Sequence, residues 1–171
     1  YDLDHAITAC REMENINLIG LHFHIGSQIT DLTVFRGLCL RVNEIQSRLK
    51  EQGIILPHVN FGGGLGINYD CPTCGLIPDF ASYFQTFADF FEALPGQQLH
   101  FELGRSLVGQ CGSLISRVLY VKEGKHKKFV ILDAGMNDLL RPALYQAFHR
   151  IENLTSAGEH EKYDVVGPIC E

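Results

Sequence analysis

The chain has 171 residues, with 14 Lys and Arg against 20 Asp and Glu, a formal net charge of −6. That balance argues against a nucleic-acid partner or an anionic membrane surface, though not against a local cationic pocket. Hydrophobic residues make up 46% and charged residues 20%, as in a globular domain with a real core, and no apolar run reaches the roughly 18 residues of a membrane-spanning helix. Tyr1–His5 carries no basic region followed by an apolar stretch, so no signal peptide is expected. Of the six cysteines, three lie in apolar or helical stretches, which suits a reduced, cytoplasmic setting better than a disulfide scaffold.

In chain order, Asp2 to Glu14 reads as a helix with Leu3, Ile7, Cys10 and Met13 near one face. Leu18 to His24 reads as a buried strand. Asp31 to Glu51 is a long amphipathic helix, with Phe35, Leu38, Cys39, Val42, Ile45 and Leu49 on its 3.6 period and Gly53 to end it. Leu56 to Phe61 is a second strand, followed by Gly62-Gly63-Gly64 and an irregular stretch to Pro78. Asp79 then caps a helix whose stripe of Phe80, Tyr83, Phe84, Phe87, Phe90 and Phe91 reads as core. Pro95-Gly96 is a turn, and Gln98 to Glu102 a third strand.

Helix and strand thus alternate, the pattern of a parallel α/β fold whose sites lie at the C-terminal ends of the strands. After Arg105 the rhythm changes. Ser106 to Lys122 has no clear helical period, Lys128 to Asp133 is a strand, Asp138 to Arg150 a short helical piece, and Tyr163 to Ile169 a last strand. A β-rich second domain is expected from Ser106 onward.

The motifs sit at the strand ends. In Gly20 to Gln28, His22 and His24 fall on one face of a strand. They could ligate zinc as an H-x-H pair, or one imidazole could pack on an aromatic cofactor with Ser27 beside its anion, or the segment could be only a strand end. Gly62-Gly63-Gly64-Leu65-Gly66 is either a tight turn or an anion-holding nest. Its spacing fits neither a dinucleotide fold nor a P-loop. Glu102 and Arg105 could form a salt-linked pair, or Arg105 could support a phosphate or carboxylate while Glu102 accepts from a protonated ring nitrogen. Arg141 and Tyr145, four apart, share a face if helical and suit a carboxylate, or form a surface pair. Cys71-Pro72-Thr73-Cys74 is half a zinc site or a redox pair.

Taken in order, Gly20 to Gln28, Gly62 to Tyr69, Glu102 to Val108, Asp133 to Tyr145 and Val166 to Glu171 resemble the fold-type III PLP-dependent decarboxylases, and within them the diaminopimelate-decarboxylating branch. The resemblance implies the late strands of a (β/α)8 barrel over residues 1–105 and the start of a C-terminal β-domain over 106–171. It implies pyridoxal 5'-phosphate as cofactor, no metal, and conversion of meso-2,6-diaminopimelate to L-lysine and CO2. It assigns His24 to the cofactor ring, Ser27, Gly62, Gly63 and Gly64 to the phosphate, Arg105 to the neighbourhood of phosphate and substrate, and Gly104 to cofactor binding. Glu102 takes the pyridine nitrogen, and Arg105, Arg141 and Tyr145 take the substrate. Cys170 and Glu171 would enter the neighbouring subunit's site, Cys170 as proton donor and Glu171 at the substrate's distal end, so a homodimer with shared sites is implied.

Leu103 stands where the family usually has Pro, and Asn60 where it frequently has Asp. The family's PLP-bearing lysine falls upstream of Tyr1, so the chain is expected to be part of a longer one and inactive alone. Decarboxylation of ornithine, arginine or carboxynorspermidine is the nearest alternative. A non-catalytic PLP or zinc module is the alternative from a different class.

Overall fold

The structure, a computed structural model, describes residues 3–72, 74, 78–159 and 161–169. The chain divides into two compact units, 1–67 with 77–110, and 68–76 with 111–171. The boundary expected at Ser106 therefore falls after Gln110. The segment 68–76, expected in the first domain, groups with the second unit.

The first unit runs α1 (Leu3–Glu12), β1 (Gly20–His22), α2 (Thr33–Glu51), β2 (His58–Asn60), α3 (Phe80–Phe90), β3 (Gln98–His100) and α4 (Gly104–Val108). The three strands form one parallel sheet in the order β1-β2-β3, with Leu21 opposite Val59 and Val59 opposite Leu99. Each is shorter than the apolar run that announced it, yet the ladder continues beyond it. Phe23 N donates to Asn60 O at 2.8 Å, Phe61 N to His100 O at 2.9 Å and Glu102 N to Gly62 O at 2.7 Å.

One face of the sheet carries the core. Val59 and Phe61 are buried with Phe35, Leu38, Cys39 and Val42 of α2 and with Tyr83 and Phe87 of α3. The 3.6 period of α2 predicts this set, and all six residues of its stripe are buried. At roughly 1.5–3 kcal/mol for each fully buried large side chain, this cluster dominates the unit's stability. Burial pushes the Cys39 thiol up to about 11, so it behaves as a small hydrophobe. The aromatic stripe of α3 is core with one correction: Phe84 is 42% exposed and meets Tyr83 and Phe101 only edge-on. Met13, expected on the apolar face of the first helix, is exposed and lies past its end.

Two local signals hold. Gly53 takes φ +73°, and Gly53 N and Ile54 N donate to Lys50 O and Leu49 O, closing α2 with a left-handed glycine cap. Asp79 accepts from Ser82 N at 2.9 Å and so caps α3. The sequence does not announce α4, because five residues with Leu107 and Val108 exposed carry no readable period.

The second unit holds a sheet ordered β4-β5-β6: β4 (Val118–Glu123), β5 (Lys128–Leu132) and β6 (Asp164–Val166). β4 pairs antiparallel with β5, and β5 parallel with β6. Asp133 ties the start of β4 to the end of β5, accepting from Ser116 Oγ at 2.6 Å and Arg117 N at 2.8 Å. The helix expected over Asp138 to Arg150 contracts to α5 (Arg141–Tyr145), ended by Gln146 at φ 52°. Pro142 fits its first turn, where no N–H is needed.

Candidate cofactor and substrate site

Side-chain alternation puts His22, Asn60 and His100 in register on the same sheet face, opposite the packed one. Just beyond the C-terminal ends of β1, β2 and β3 lie His24, Gly62–Gly64 and Glu102, followed by Arg105 in α4. Three stretches that are separate in the sequence are thereby neighbours.

The glycines have a job beyond any ligand. A Cβ on Gly62 would strike the Phe23 carbonyl oxygen, one on Gly63 the Glu102 carbonyl oxygen, and one on Gly64 would lie 2.5 Å from the Gly26 oxygen. The loop is wedged between the ends of β1 and β3, with Gly62 and Gly64 at positive φ. Its N–H groups are only in part free for an anion: Gly62 N donates to Asn60 Oδ1 at 2.8 Å, and Gly63 N points at His24 Nδ1 at 3.5 Å.

Glu102 and Arg105 do not pair with each other, the simpler reading of their spacing. Glu102 Oε1 accepts from Asn60 Nδ2 at 2.8 Å, and His22 Nε2 lies 3.4 Å from Oε2. The orientation of the Asn60 amide is determined, because a backbone N–H can only donate and so requires the Asn60 oxygen. Asn60 thus links the glycine loop to Glu102, a role its sequence position does not reveal. Arg105 Nη1 donates to Gln28 Oε1 at 3.2 Å, while Gln28 also accepts from Ile67 N and donates to Ile67 O at 2.5 Å. Gln28, at φ 61°, braces the loop that carries exposed Ser27.

In the second unit Arg141 and Tyr145 occupy the two ends of α5, so their four-residue spacing is helical and they share a face. The Arg141 guanidinium lies 4.8 Å over the Tyr69 ring and its Nη1 is 3.2 Å from His149 Nε2. Tyr145 is 68% exposed. Cys170 and Glu171 lie outside the described residues.

The zinc readings find no support. No group of three or more His, Cys, Asp or Glu side chains able to hold a metal occurs among the described residues. Cys71 and Cys74 are joined by a disulfide, with Cα atoms 5.5 Å apart, which accords with the redox-pair reading of this motif rather than with half a zinc site.

A family model described as pyridoxal-dependent decarboxylase, C-terminal sheet domain, matches residues 1–171. The chain belongs to the pyridoxal-dependent decarboxylases. It is 61% identical over 170 residues to a diaminopimelate decarboxylase of Bacteroides thetaiotaomicron, covering 99% of this chain and 44% of that relative. Among solved structures, the diaminopimelate decarboxylase of Methanocaldococcus jannaschii in complex with L-lysine superposes with a TM-score of 0.83 at 40% identity, covering 98% of this chain and 39% of that one. The Helicobacter pylori enzyme complexed with L-lysine gives 0.84 at 36% identity, covering 98% and 41%. The chain therefore spans about two fifths of the family members it matches. The α/β architecture followed by a small sheet, expected from the resemblance, is the fold of these relatives.

The residues present fit a pyridoxal phosphate. A glycine loop too close-packed for any side chain, a carboxylate held by Asn60 and a guanidinium held by Gln28 all lie at adjacent strand ends.

Proposed function

We propose that the full-length protein containing this chain decarboxylates meso-2,6-diaminopimelate to L-lysine and CO2 with pyridoxal 5'-phosphate. The observation that carries the reading is the arrangement of His24, the Gly62–Gly64 loop, Glu102 and Arg105 at the ends of three adjacent parallel strands. The 61% identity to a diaminopimelate decarboxylase supports the substrate.

When bound, pyridoxal phosphate supplies an electron sink for the pair left as CO2 departs. The chain's part is binding and orientation. The Glu102 carboxylate accepts a hydrogen bond from the cofactor ring nitrogen and keeps a proton on it. His24 packs on the ring. Ser27, the glycine loop, Gly104 and Arg105 take the phosphate, the guanidinium offering a planar fork for an anion. Arg141, with Tyr145, reads the substrate carboxylate that is not lost, again by a charge-assisted pair. Cys170 and Glu171 serve the partner subunit's site, Cys170 as proton donor. The whole protein is a (β/α)8 barrel with a β-domain, a homodimer, and works in the cytoplasm.

The test is CO2 release by the full-length protein with pyridoxal phosphate, offered meso-diaminopimelate, ornithine and arginine. Preference for diaminopimelate is expected. Preference for ornithine or arginine would keep the cofactor chemistry and overturn the substrate, and no release from any would overturn the enzyme.

A further inference from the structure

We propose that Tyr69 and His149 are positioning residues that hold the Arg141 guanidinium toward the substrate's retained carboxylate, and so help set specificity for substrates that carry one. The inference rests on the reading of Arg141 given above.

Three half-buried side chains from distant parts of the sequence meet in the second unit. The Arg141 guanidinium carbon lies 4.8 Å from the Tyr69 ring centroid. Its Nη1 lies 3.2 Å from His149 Nε2. The Tyr69 and His149 rings meet edge to face at 5.1 Å, with 71° between their planes. Each contact constrains a different freedom. The ring face holds the plane of the guanidinium, because a cation is drawn to the negative face of an aromatic. The imidazole fixes its rotation. A guanidinium can only donate, so His149 Nε2 is the accepting side of this contact. Among the described residues neither of these two partners is a carboxylate, so neither offsets the Arg141 charge.

The supports are themselves anchored. Tyr69 precedes Asp70 and Cys71, whose N–H groups both donate to Asn68 Oδ1, at 2.9 and 3.3 Å. The Cys71–Cys74 disulfide closes the next turn. Arg150, beside His149, donates to Cys71 Sγ at 3.7 Å. The irregular stretch after the glycine loop, whose sequence carries no readable purpose, is thereby fastened to the segment that carries Arg141.

The chemistry of the reaction provides a discriminating test. L-lysine keeps one carboxylate of diaminopimelate, and cadaverine keeps none. In the full-length enzyme, Tyr69→Leu and His149→Leu are expected to raise the KM for meso-diaminopimelate and the inhibition constant of L-lysine by about three- to tenfold, the size of a cation–π contact or hydrogen bond lost. The inhibition constant of cadaverine and the affinity for pyridoxal phosphate should stay within about twofold, which also reports that the variants fold. Tyr69→Phe keeps the ring and His149→Gln keeps an acceptor, and both should restore L-lysine binding. Equal loss for L-lysine and cadaverine, or no loss for either, would overturn the proposal. Arg141→Ala separates the two levels. If it leaves the preference for L-lysine over cadaverine unchanged, the reading of Arg141 itself fails. If it abolishes that preference while the Tyr69 and His149 variants do not, only the positioning role fails.

Discussion

Gly63 lies so close to Glu102 that a Cβ on the glycine would strike the Glu102 carbonyl oxygen. The glycine loop and the end of β3 are also joined by Glu102 N donating to Gly62 O at 2.7 Å. A methyl group at position 63 must push the candidate phosphate loop away from the carboxylate beside it. Gly63→Ala in the full-length protein is expected to cost about 1–3 kcal/mol of stability. It should also weaken pyridoxal phosphate binding by about tenfold or more, since even about 1.4 kcal/mol is a factor of ten. Urea unfolding and a fluorescence titration check the two parts. Unchanged cofactor affinity would place the cofactor elsewhere.

Glu102 and Asn60 should differ in degree. Glu102→Gln removes the charge proposed to keep the ring nitrogen protonated, and kcat is expected to fall by about 10- to 100-fold with the cofactor still bound. Asn60→Ala leaves the charge but removes its 2.8 Å donor and the acceptor for Gly62 N, so a smaller fall is expected. Steady-state kinetics with the absorption spectrum of the bound cofactor tests both. A larger effect at Asn60 than at Glu102 would contradict this order.

Tyr83 is fully buried and its hydroxyl has no hydrogen-bond partner, with burial pushing its pKa up to about 12. The phenol oxygen has lost water without compensation. Tyr83→Phe keeps the edge-on contact with Phe35 and discards that oxygen. Stability is expected to be unchanged or higher by up to about 1 kcal/mol, as read from thermal unfolding. A clear loss would show that the hydroxyl has a partner in the full-length protein.

Asp79 has its carboxyl held below the usual carboxylate range, first by the Ser82 side chain and then by the Ser82 backbone N–H. A carboxylate with a lowered folded pKa contributes stability that is fully present above its unfolded value. That contribution disappears as the pH falls through the folded value. The stability difference between the native protein and Asp79→Ala should therefore be largest near neutral pH and shrink below about pH 4. Denaturant titrations at several pH values decide it. A difference that persists unchanged in acid would mean that the cap does not depend on charge.

The cysteines should sort by environment. Cys71 and Cys74 are expected to resist alkylation until a dithiol reductant is added. Cys39, fully buried with its thiol pushed up to about 11, should stay slow to react even then. Peptide mapping after labelling with and without reductant separates the two. Labelling of Cys71 without reductant would argue against the bridge.

The sequence by itself determined what depends on neighbours along the chain. The apolar stripe from Phe35 to Leu49, the Asp79 cap and the Gly53 terminus are set by helical periodicity and by hydrogen bonds a few residues long, so they are legible in the order of residues alone. The glycine loop, Glu102 and Arg105 are legible as motifs, but not as neighbours. Only the tertiary structure decided that His22 and Asn60 face Glu102, because cross-strand register has no local signature and arises when three strands align on a shared core. It also decided that Tyr69 and His149 close around Arg141, and that residues 68–76 group with the second unit. Contacts between residues far apart in the chain are selected by packing and by the satisfaction of charge, which no window of sequence contains.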